Sequence, residues 1–146
     1  MATISSPETN DDCYDLSISC RPNAVVLYNP YFKCEASLSP PNYLRPGLPP
    51  FITFLGDRDP AITVESILDF HQSLKALDCD SEFYVGKGGK HGLCNGRNAF
   101  NPYFYWSLEL IDQFLVQHGI LGGKSLVTRP QGVRSLESGR DYESFL

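Results

Sequence analysis

The sequence predicts an α/β domain in which parallel strands alternate with helices and the sheet is incomplete. Three observations carry this. Short apolar runs at residues 24–28, 51–55 and 81–85 are each closed by proline or glycine, the pattern of buried strands. Two longer segments, about 63–76 and 101–118, repeat apolar residues every three or four positions, the pattern of helices. The two kinds alternate along the chain, so neighbouring strands run parallel with helical crossovers.

Taken in order, residues 1–23 are polar, with Pro7, Asn10, Asp11 and Asp12, and read as an arm or loop. Ala24-Val-Val-Leu-Tyr28 follows, bounded by Pro22 and Pro30. Residues 29–50 hold seven prolines and glycines, a long connection of the kind that forms lids or binding loops. Phe51-Ile-Thr-Phe-Leu55 is the second strand, closed by Gly56. Thr63 is placed as the N-cap of a helix whose face is Ile67, Phe70, Leu74 and Leu77. Ser81-Glu-Phe-Tyr-Val85 is the third strand, ended by Gly86. Asn101-Pro102 opens a helix that runs to about His118, with Phe104, Leu108, Ile111 and Leu115 on one face and Gly119 as its stop. Residues 24–118 thus form the folded domain, and 119–146, rich in Gly, Ser and Arg, read as a loose tail. Three strands and two helices leave one sheet face open, so further sheet or a partner is expected there.

Composition narrows the function classes. With 42% hydrophobic and 20% charged residues and no apolar run near the roughly 20 residues of a membrane span, the chain reads as a globular domain. A net charge of −5 argues against nucleic acid and anionic membrane surfaces as partners. Nine Phe, eight Tyr and one Trp call for a sizeable core. The five cysteines (Cys13, Cys20, Cys34, Cys79, Cys94) contain no Cys-x-x-Cys pair, so neither a zinc site nor any other cofactor is expected. No basic start followed by an apolar stretch marks a secretory signal, which leaves a secreted or periplasmic parent open.

Two turns carry the chemistry. In an open α/β sheet, ligands bind beyond the carboxyl ends of the strands. Asp57 and Asp59 follow the second strand and His91 follows the third, so both groups fall on one rim. An acid there can accept the Nδ1 proton of His91 and leave Nε2 as a base. Singly, each acid reads as a turn carboxylate or helix cap, and His91 is equally a surface loop histidine or a functional one. Together on one rim they point to acid–base work. Gly88, Gly89 and Gly92 permit a turn around His91 that bulky residues would not. Gly86-Lys-Gly-Gly-Lys90 has the composition of a phosphate loop without its spacing. His71 and His118 are read as structural. Cys94 has nothing around it to depress its pKa and is read as buried or bridged. Asn29-Pro30-Tyr31-Phe32 ends the first strand on the same rim, as either pocket lining or a packed aromatic turn. No serine or cysteine stands in a glycine-flanked elbow as a nucleophile.

Residues 24–30, 49–59, 91–92 and 107–115 in this order resemble the C-terminal part of an α/β-hydrolase of the esterase/lipase type. The resemblance covers about residues 20–121, is nearest to acetyl and feruloyl esterases, and extends to the prolyl-oligopeptidase catalytic domain. It implies that Asp59, at the end of Gly56-Asp-Arg-Asp59, is the triad acid, with Asp57 the second choice, and that His91 is the triad base. It implies that the three strands are the last three of a larger sheet. It also implies that residues 1–23 follow the nucleophile's helix, so that the Gly-x-Ser-x-Gly elbow and oxyanion hole lie upstream. Ser37, Ser39, Ser66 and Ser107 lack the elbow context. The implied activity is hydrolysis of small-molecule carboxylic esters, acetylated or aryl-esterified carbohydrates among them. The alternatives are a serine peptidase of the prolyl-oligopeptidase type and a non-catalytic α/β-hydrolase-like subunit.

Overall fold

The computed structural model describes residue 17 and residues 21–146. Most of the expected polar arm, with Cys13 and Cys20, lies outside the described residues. Strands β1 (Val25–Tyr28), β2 (Phe51–Gly56) and β3 (Ser81–Gly86) pair side by side in parallel. Helix α1 (Val64–Lys75) links β2 to β3, and α2 (Pro102–Gln117) follows β3. A fourth strand, β4 (Tyr142–Phe145), pairs antiparallel with the outer edge of β3, completing the order β1-β2-β3-β4.

Residue type explains each element. β2 is apolar throughout because it is central, and all six of its residues are buried. β1 is an edge among the described residues, and its side chains are half-buried or exposed. Alternation splits β2 between two layers. Ile52 and Phe54 face Trp106 and Phe114 of α2, whereas Phe51 and Leu55 lie in the clusters that hold Phe70, Leu74 and Ile67 of α1. One helix thus covers each face, which corrects the expectation of a fully open face. Thr63 caps α1 through its Oγ1, which accepts the Ser66 N–H at 3.3 Å. Asn101 caps α2 by accepting the Tyr103 N–H at 3.1 Å, and Pro102 occupies the first turn.

Two further expectations change. The face of α2 that enters the core is shifted from the expected Phe104-Leu108-Ile111-Leu115: Trp106, Ser107 and Phe114 are the buried residues, with Tyr103, Leu110, Ile111 and Leu115 partly buried against the same cluster. The helix is apolar over much of its circumference, so periodicity leaves its rotation open. The bulk of Trp106, set against Phe54, Tyr84 and Tyr142, decides it. The stretch expected as a loose tail contains β4 and a charged knot ahead of it. The buried residue Asp141 accepts two hydrogen bonds from Arg134 (2.7 and 2.8 Å), one from Arg140 (3.1 Å) and one from the Glu137 N–H (2.9 Å). In the long proline-rich connection, short 3-10 turns form at Ala36–Leu38 and Pro40–Tyr43.

Candidate active site

Parallel pairing sends the carboxyl ends of β1, β2 and β3 to one rim, where three loops meet. The β2 and β3 loops touch through backbone. Arg58 N–H donates to Gly89 O at 2.8 Å and Asp57 N–H donates to Gly86 O at 3.1 Å. A Cβ on Gly56 would overlap the carbonyl of Gly89, so glycine is required for this approach.

The two acids of this turn have separate partners. Asp57 is exposed and its Oδ1 accepts the Gly88 N–H at 2.6 Å, holding the β3 loop. Asp59 faces His91, whose Nδ1 lies 2.8 Å from its Oδ2. The Asp59 side chain is 0% exposed and the His91 side chain 60% exposed. Four donors converge on the Asp59 carboxylate. Oδ1 accepts the N–H groups of Ala61 (2.9 Å) and Ile62 (3.2 Å), and Oδ2 accepts Asn29 Nδ2 (2.9 Å) as well as His91. Burial pushes this carboxyl up, but the Ala61 N–H, His91 and Asn29 outweigh it and hold it below its ordinary value. An ionised carboxylate only accepts, so Nδ1 carries the imidazole proton and the Nε2 lone pair is free.

The peptide after His91 is fixed as well, because the Gly92 N–H donates to Asn29 Oδ1 at 3.3 Å. Asn101, besides capping α2, donates from Nδ2 to Leu93 O (2.8 Å) and Asn95 O (2.9 Å), tying the loop beyond His91 to the helix. Composition alone left Asn29 divided between pocket and turn. Its position, an asparagine closing a strand on the rim that bears the acid and the histidine, was the available signal.

The remaining candidates are placed elsewhere. His71 is buried in α1 with Nδ1 3.0 Å from Ser81 Oγ, and burial pushes its pKa down. His118 ends α2 with Nδ1 3.8 Å from Asp80. Cys94 is buried and its thiol is pushed up to about 12, which removes it as a nucleophile. In the glycine-lysine segment, the N–H groups of Gly88 and Gly89 are already given to Asp57 and Gly86 O, leaving no phosphate cradle. The hydroxyls of Ser39, Ser66 and Ser107 donate to the carbonyls of Phe32, Thr63 and Phe104. Among the described residues no group of three metal-ligating side chains comes together, and no helix is long and apolar enough to cross a membrane.

Three parallel strands alternating with helices, one on each face of the sheet, match part of an α/β-hydrolase fold of the esterase type. Solved structures that resemble it include those of esterase 2 from the planctomycete Thermogutta terrifontis. The propionate-bound structure is 29% identical with a TM-score of 0.76, covering 84% of this chain and 53% of that one. The form phosphorylated by paraoxon is 32% identical (TM-score 0.76; 84% and 50% covered), and the apo form 31% identical (TM-score 0.76; 84% and 52% covered). The chain therefore spans about half the length of the esterase structures it matches. No family model matches it, and no curated protein does.

Proposed function

We propose that this chain supplies the acid and base of a serine-dependent carboxylic ester hydrolase, with Asp59 as the acid and His91 as the base. The observation that carries this is the 2.8 Å contact between a fully enclosed carboxylate and a solvent-open imidazole. Asp59 fixes the tautomer, so that Nε2 takes the proton of an attacking serine hydroxyl and later returns it to the departing alcohol. The carboxylate stabilises the imidazolium in between. The likeness to an esterase that can be phosphorylated by paraoxon and phosphonylated by cyclosarin supports a serine nucleophile. That nucleophile and the oxyanion donors come from the half of the fold the chain does not span.

By itself the 146-residue chain is expected to hydrolyse an activated acetate ester no faster than its His91→Ala variant. Joined to the nucleophile-bearing half of a Thermogutta-type esterase, it is expected to gain ester hydrolysis that His91→Ala reduces by about a thousandfold. Hydrolysis by the joined protein that is indifferent to both His91→Ala and Asp59→Asn overturns the assignment.

A further inference from the structure

We propose that Asn29 is the positioning residue of the acid–base pair, its side-chain amide holding the Asp59 carboxylate and the peptide after His91 in one fixed relation. This rests on the reading of Asp59 and His91 just given. Asn29 is 8% exposed and stands at the end of β1, on a different loop from either member of the pair. Its backbone N–H already continues the sheet, donating to Phe54 O at 2.8 Å, so strand pairing does not need the side chain. The side chain instead crosses the rim. Nδ2 donates to Asp59 Oδ2 at 2.9 Å and Oδ1 accepts the Gly92 N–H at 3.3 Å.

The chemistry of the two partners leaves one orientation of the amide. A carboxylate can only accept and a peptide N–H can only donate, so a flipped amide would lose both bonds. Oδ2 is the oxygen that also receives His91 Nδ1, and Asn29 therefore fixes the carboxylate oxygen on which the imidazole rests. The backbone agrees, since Asn29 has a φ of +47°, a left-handed conformation that asparagine tolerates better than most residues. Aspartate would bring no donor to Asp59, and alanine would keep neither bond.

The test uses nitrogen-15 NMR of the whole chain, which reads the tautomer of neutral His91, together with the exchange rate of the Gly92 amide. Asn29→Gly suits the left-handed backbone and deletes the whole side chain, its amide included. It is expected to raise the Nε2–H share of His91 relative to Nδ1–H by about tenfold, the worth of one hydrogen bond to a charged group. It is also expected to remove the protection of Gly92 while the chain remains folded. Asn29→Ala, should the glycine variant not fold, is expected to make the same two changes. A folded Asn29 variant with an unchanged tautomer overturns the role of Asn29. Asp59→Asn separates this from failure of the wider reading. If it too leaves the tautomer unchanged, the pair does not exist in solution and both proposals fall. If it alters the tautomer and Asn29→Gly does not, only the role of Asn29 is lost.

Discussion

Asp57 and Asp59 share one turn, yet the donors around them differ. Asp57 meets a single N–H in open solvent, and Asp59 is enclosed by four donors. Because these hold the Asp59 carboxyl below its ordinary 3.8 in the folded chain, the unfolded chain takes up its proton first as pH falls. Its contribution to stability is complete above that ordinary value and is lost as pH drops through the folded value. Asp59→Asn carries no such proton. It is expected to cost about 1–3 kcal/mol at neutral pH, since an amide nitrogen must oppose a donor. Its urea midpoint is then expected to fall less steeply than that of the unaltered chain as pH drops from about 5 to about 2. The sequence made the pair legible through strand-then-turn placement and preferred Asp59 to Asp57 by resemblance. It left Asn29 undecided, because hydrogen bonds across 30 and 63 residues of chain are set by the sheet and not by neighbours.

At the level of elements, the rim depends on how closely two turns approach. Gly56→Ala drives a methyl group into the Gly89 carbonyl and is expected to destabilise the fold by about 2–3 kcal/mol, as overpacking does. It should also part His91 from Asp59. Gly47→Ala is the control, a glycine at φ +75° with nothing within 4 Å, where the cost is backbone strain alone, about 1 kcal/mol. Urea unfolding of the two variants, with the His91 tautomer read in each, checks the contrast. Strands and helix caps were legible because they are local: apolar runs closed by glycine, Thr63 and Asn101-Pro102. The buried face of α2 and the existence of β4 were not. The first depends on which of several apolar faces Trp106 commits to the sheet. The second is a four-residue, half-polar edge strand that owes its place to the Asp141 knot and to Phe145 stacked on Phe83.

For the molecule as a whole, the C-terminal stretch is part of the fold that bears the site. The Lys87 N–H donates to Asp141 O at 2.8 Å, Lys87 Nζ reaches Gly139 O, and the Tyr103 hydroxyl lies 3.1 and 2.9 Å from the carbonyls of Lys87 and Asp141. The knot therefore grips the start of the loop that holds His91. A chain ending at residue 133 loses both the knot and β4, leaving the outer edge of β3 without a strand. Light scattering is expected to show that shortened chain aggregating at concentrations where the full chain stays dispersed. Among the described residues, β1 and β4 each have a strand on one side only. The C-terminal one carries Glu143, ion-paired to Lys87 at 3.3 Å, and a short charged strand at the border of a sheet resists pairing with another copy. Removing residues 134–146 therefore exchanges a guarded border for the apolar one of β3.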